Sequence, residues 1–131
     1  MINEIKVSVK IHGFNDSPSR ISEILGLVPT MSWLKGEVVH PRAINTFKEN
    51  GWVISVHGDG EDVSIEKLAM ELFDVLSESL PSFCDLPRNV CIEFSVVAYV
   101  KQDIPELFIP SEIVQKLGEI GAEIDIDLIL T

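Results

Sequence analysis

The sequence is poor in positive charge: 10 Lys and Arg stand against 21 Asp and Glu, a formal net charge of -11. That field repels a phosphate backbone, which argues against direct nucleic-acid binding and predicts attraction toward basic partners. Cysteine is scarce. With only Cys84 and Cys91, and nothing else that marks an oxidising compartment, free thiols are expected and a disulfide-dependent fold is excluded. No apolar run approaches the roughly 18 to 20 residues of a membrane span, and the opening MINEIKVSVKI alternates where a secretory signal would be basic and then apolar. The expectation is a soluble, uncleaved cytoplasmic protein with no membrane partner. Also missing are G-x-G-x-x-G, GK[ST] and G-x-S-x-G runs; Lys35-Gly36 has the phosphate-loop order reversed. What is present is apolar material for one core, 46% of 131 residues, the size of a single domain spanning 1–131.

From Ile5 to Ile11 the pattern alternates strictly, with Ile5, Val7, Val9 and Ile11 on one face and Lys6, Ser8, Lys10 and His12 on the other, as in a half-buried strand. Ser17 and Pro18 then predict a helix start, Ile21, Ile24 and Leu25 its apolar stripe, and Gly26 its end. GWVISVH (51–57) alternates again, with Trp52, Ile54 and Val56 facing the core. Ser64 predicts the cap of a longer helix, to about residue 80, whose buried positions are Ile65, Leu68, Ala69, Leu72, Val75 and Leu76. A third strand is expected from Val90 to Val100, a third helix from Pro110 through Leu117, and a last strand from Ala122 to Leu130.

PSRISEILG (18–26) and PSEIVQKLG (110–118) agree at Pro, Ser, Ile, Leu and Gly in the same spacing, each after a similar strand. The chain therefore reads as βαβ-α-βαβ, with pseudo-repeats at about 5–57 and 90–130 and a linking helix at about 64–80. The expected class is α+β: a mainly antiparallel or mixed sheet of four to five strands, helices on one face, close to a ferredoxin-like plan.

Between these elements lies an aperiodic stretch, residues 27–50, with a short strand expected at 37–40 and a helical turn at 41–48. It is the one stretch of net positive charge, Lys35, Arg42 and Lys48 outnumbering Glu37 and Glu49. The runs GLVPTMSWLKGE (26–37), Trp52-Val53-Ile54-Ser55 and LGEIGAEIDIDL (117–128) resemble a bacterial and phage family, domain of unknown function 4279, over nearly the whole chain. The resemblance implies no reaction, cofactor or catalytic residue.

Two candidate sites remain. Trp33, Lys35, Gly36 and Arg42, with Trp52 on the next strand, read either as an aromatic-walled pocket for a ligand or partner or as a capped core end. Glu123, Asp125 and Asp127 share one face of the last strand and read either as a solvated face or as an acidic partner patch. His12 and His57 each end a strand near an Asp, but the spacing matches no metal motif, and no metal or cofactor is expected. The functional expectation is a non-enzymatic acidic module that binds a basic protein, as an inhibitor or immunity-type protein does. The alternative is a small-ligand sensor built on residues 27–50. A homodimer is expected if the first or third strand, neither broken by Pro or Gly, lies at a sheet edge.

Overall fold

In the computed structural model, which describes residues 3–42, 44–101 and 103–131, the alternating Ile5–Ile11 segment lies at the centre of a sheet. The elements run β1 (Glu4–His12), α1 (Pro18–Leu25), β2 (Met31–Trp33), β3 (Gly51–Asp59), α2 (Ile65–Leu76), a 3-10 segment (Ser77–Asp85), β4 (Cys91–Val100), α3 (Ser111–Ile120) and β5 (Glu123–Leu130). The strand order is β2-β3-β1-β4-β5. β1 is antiparallel to both β3 and β4, β2 is antiparallel to β3, and β5 alone runs parallel to its neighbour, β4.

These directions make the fold α+β with a mixed five-stranded sheet, and they follow the ferredoxin-like plan through β4. β1-α1-β2 is a parallel crossover split by β3, and β3-α2-β4 is a parallel crossover split by β1. β4-α3-β5 then adds an unsplit crossover at one edge. The two similar helices, α1 and α3, therefore do the same work, each carrying the chain between parallel strands. The first unit closes on the short β2, however, and not on the 51–57 strand expected from the pseudo-repeat.

Inward residues of the three central strands, Ile5, Val7, Val9, Ile11, Trp52, Ile54, Ile92, Phe94, Val96 and Ala98, meet the apolar stripes of the helices in one core. Ser64 caps α2 as its sequence predicts, its Oγ accepting from the Lys67 N–H at 3.1 Å. Ser17 sits at the N-cap of α1 without that bond; its hydroxyl pairs with Ser19 Oγ at 2.6 Å. On α2 Phe73 is buried and Val75 is exposed, because Val75 falls at the margin of the stripe that Leu68, Leu72 and Leu76 define. Gly26 ends α1 in the left-handed conformation at φ 66°, but its counterpart Gly118 lies inside α3. The helix continues until Ile120 reaches the core, and Gly121 at φ 70° ends it. β1 and β4 are interior strands, so neither can pair across a two-fold axis; the edges are β2 and β5.

Candidate functional site

The aperiodic stretch folds back on itself as an arm beside the β2 edge. Phe47 bonds two successive residues through its backbone, its C=O accepting from the Gly36 N–H and its N–H donating to Glu37 O, both at 2.9 Å, and Val38 bridges Thr46. Among the described residues, which leave out 43, neither the strand expected at 37–40 nor the helical turn expected at 41–48 forms; the strand of this stretch is β2, where Met31 to Trp33 pair with β3. Gly36 adopts φ 92°, a left-handed turn position that favours glycine. Lys35 and Arg42 are exposed, and Lys35 is held through its backbone N–H on Asn50 Oδ1 at 2.7 Å.

Trp33 anchors the arm. Its ring stacks on Phe47 with centroids 4.6 Å apart and planes 17° apart, and its indole N–H donates to Glu49 O at 3.1 Å. The ring lies directly over Gly51, its register partner, where a Cβ would stand 2.0 Å from Cζ2. Trp52 does not join it. Strand alternation turns Trp52 to the opposite face, where it is fully buried and donates to Ser22 Oγ at 3.0 Å. The two tryptophans, read from the sequence as either a shared pocket or a capped core end, are not brought together: Trp33 belongs to the helix-free face and Trp52 to the core.

The two histidines are also apart. β1 and β3 are neighbours, but they run antiparallel, so His12 pairs with Gly51 while His57 pairs with Lys6, about 20 Å along the strands. His12 instead bridges two carboxylates, Nδ1 to Glu49 Oε1 at 2.7 Å and Nε2 to Glu93 Oε2 at 3.7 Å. That pinning ties the end of the arm to β1 and β4. No cluster of three His, Cys, Asp or Glu side chains able to hold a metal occurs among the described residues.

The acidic row is where the alternation put it. Glu123, Asp125 and Asp127 lie opposite Glu93, Ser95 and Val97 on the helix-free face, all exposed. Glu123 accepts from the Cys91 thiol at 3.6 Å. Burial first, and the Glu123 charge second, hold that thiol above its ordinary pKa, so Cys91 stays protonated and poorly nucleophilic.

The other face of β5 is less ordinary. Ile124, Ile126, Leu128 and Leu130 are 37% to 76% exposed although they point toward the helix layer. α3 packs against α2 and the 3-10 segment through Ile113, Leu117 and Ile120, which leaves the row beside it uncovered. Among the described residues β5 pairs with β4 alone, so its outer edge carries backbone N–H and C=O groups without a strand partner there. This exposure is not legible in the sequence, because the alternation is the same whether or not a helix covers the apolar face.

Among known families, the one described as a domain of unknown function (DUF4279) matches residues 3–131, essentially the whole chain. No curated protein and no solved structure matches it. Among the described residues, no helix is long and apolar enough to cross a membrane.

Proposed function

The chain belongs to the DUF4279 family, and from that premise we propose that it is a non-enzymatic binding module whose β5 edge receives an extended segment of a basic protein partner. The observation that carries this reading is the exposure of β5 on both faces along an unpaired edge, with seven of its eight residues from Glu123 to Leu130 exposed. A natural edge strand is usually covered, or blunted by charge; this ladder is uncovered, and its charge is of one sign, which turns away a like strand and admits a basic one.

The chemistry of the occupant follows from those rows. A strand added to β5 places its alternate side chains beside Glu123, Asp125 and Asp127 and the others beside Ile124, Ile126 and Leu128. Lys or Arg alternating with aliphatic residues fits both. Covering half of each of the four apolar side chains contributes about 1 kcal/mol apiece before the cost of association is subtracted. Cross-strand opposite charges add about 0.2 to 1 kcal/mol each, and the net charge of -11 accelerates encounter with a basic segment.

A second copy is a poor occupant. Antiparallel pairing of two β5 strands about an axis normal to the sheet sets acid against acid, Asp125 facing Asp127 of the other copy, which is destabilising. An inhibitor or immunity-type role is one form of the proposal, since a segment captured on β5 is withdrawn from its own protein. Cytoplasmic residence is part of it as well, in keeping with two free thiols.

The test uses synthetic peptides of alternating Lys and Val, alternating Glu and Val, and the Lys–Val composition in block order, titrated against the intact protein. The alternating basic peptide should bind best, and N-methylation of alternate peptide nitrogens should abolish binding in one register and spare it in the other. Changing Glu123 to Gln and Asp125 and Asp127 to Asn should slow association about tenfold at low salt, with the fold intact. Equal binding of the block peptide, or indifference to N-methylation in both registers, would leave only nonspecific charge attraction and reject the reading.

A further inference from the structure

The helix-free face of the sheet holds a second arrangement, centred on β1. Along β1, Lys6, Ser8 and Lys10 point to this face, and Ser8 stands in register with Ser55 on one side and Ser95 on the other. Thr30 extends the line, its Oγ1 accepting the Ser55 backbone N–H at 3.0 Å. Four hydroxyl side chains thus cross four neighbouring stretches of chain in one row. The ring of Trp33, stacked on Phe47, stands above the row at one side and Tyr99 at the other, and together they bound a cavity of about 290 Å³.

The two lysines are uncommitted. Among the described residues no carboxylate lies within 4.0 Å of either ammonium group. The reason is visible in the neighbouring pairs. Glu93 is the register partner of Lys10 but turns to His12, and His57, the register partner of Lys6, is paired with Glu4 at 3.6 Å. The acids beside these lysines are thus engaged, while Asp125 and Asp127 of the same face stand on β5, two strands from β1.

The hydroxyls are set to donate. Ser8 and Ser55 share one hydrogen bond at 2.8 Å, which consumes one of their two protons and leaves the other free. Thr30 already accepts from backbone, so its own O–H is left for a further acceptor. Ser8 and Ser95 are buried, and a charge held above them is shielded from solvent on one side, where charge-assisted hydrogen bonds are strongest.

We propose that this face is a binding site for a small planar organic anion, an aromatic carboxylate or phosphate ester. Its charge sits between Lys6 and Lys10 over the serine row, and its ring lies against Trp33 and Phe47. The cavity is at the lower limit of ordinary ligand clefts, which suits one ring and one anionic group and excludes a dinucleotide. A polymer of phosphates is excluded by the overall negative charge, which a small ligand overcomes through short-range contacts alone.

Four probes separate the contributions: benzoate, phenyl phosphate, benzyl alcohol as the neutral ring, and inorganic phosphate as the ringless anion. Backbone amide shifts on the unaltered protein locate binding, and titration calorimetry measures it. At least one of benzoate and phenyl phosphate should bind and shift Ser8, Ser55, Ser95 and Trp33 together, while benzyl alcohol and inorganic phosphate bind at least about tenfold more weakly. Lys6→Gln with Lys10→Gln should weaken the anions about tenfold and leave benzyl alcohol unchanged. Phe47→Ala should weaken the ring-bearing anions and not inorganic phosphate. Three outcomes overturn the proposal: shifts that map elsewhere, a neutral ring that binds as well as the charged ones, and no response to either aromatic anion. The β5 substitutions remove negative charge beside Ser95 and Val97, so they should strengthen the anions or leave them unchanged while weakening the basic peptides, and the two sites stand or fall separately.

Discussion

Gly51→Ala isolates the contact on which the arm depends. The methyl group would stand 2.0 Å from Trp33 Cζ2, 2.1 Å from Cε2 and 2.6 Å from Nε1, distances no side chain tolerates. Gly51 lies in β3 between Trp33 and His12, so the backbone cannot withdraw without breaking pairing on both sides, and the indole must lift instead. Lifting it forfeits the Nε1 hydrogen bond to Glu49 O, about 1 kcal/mol, and the stack on Phe47, about another 1 kcal/mol. Residual strain adds about 0.5 kcal/mol, and the lower chain entropy of Ala in a strand returns about as much. The net expected loss is about 2 kcal/mol. With an unfolding entropy of roughly 2.1 cal/mol/K per residue over 131 residues, that corresponds to a melting point lower by about 7 °C. Urea unfolding followed by circular dichroism measures it. The deciding variant is Gly51→Ala in a Trp33→Ala background, where the obstruction is gone and the substitution becomes neutral or slightly stabilising. A coupling energy below about 0.5 kcal/mol in that cycle would falsify the account of Trp33 as an anchor laid over glycine.

Three further outcomes follow from the structure. Ser64→Ala should cost about 1 kcal/mol by removing the bond to Lys67 N–H, while Ser17→Ala, which breaks no cap bond, should stay within about 0.5 kcal/mol in the same melt. Trp52→Phe should cost about 2 to 3 kcal/mol, and its combination with Ser22→Ala should cost less than the sum because the two share one hydrogen bond. Since Glu123 raises the Cys91 pKa, alkylation by iodoacetamide near pH 8 should favour Cys84, and Glu123→Gln should bring the Cys91 titration down toward the ordinary thiol value and speed its reaction. A rate at Cys91 that ignores Glu123→Gln would show that burial alone protects it.

The strands and helices were legible wherever one period dominated. Ile5 to Ile11 alternates over seven residues, and Ile65 to Leu76 repeats at three and four, and both segments form as their patterns require. Residues 27–50 have no period because the arm is held by single contacts. The backbone bonds of Phe47 to Gly36 and Glu37 and the wedge of Trp33 on Gly51 leave no mark in a pattern of apolar residues. The acidic row on β5 could be read from alternation, whereas the exposure of Ile126 and Leu128 could not, since it depends on where α3 packs. Lys6, Ser8 and Lys10 looked like an ordinary solvated face. Only the register with Ser55 and Ser95, and the diversion of Glu93 to His12, distinguishes them.

The edge position of β5 also sets an order of loss. β5 is joined to the sheet through β4, whereas β4 keeps β1 on its other side. β5 can therefore lift away while the order β2-β3-β1-β4 persists, and its amides should exchange with solvent through a local opening of lower free energy than those of β1. While it is lifted, β4 becomes the edge, without the acidic side chains that otherwise border it. The opened form, more than the closed one, is then the species prone to pair edge to edge with another copy.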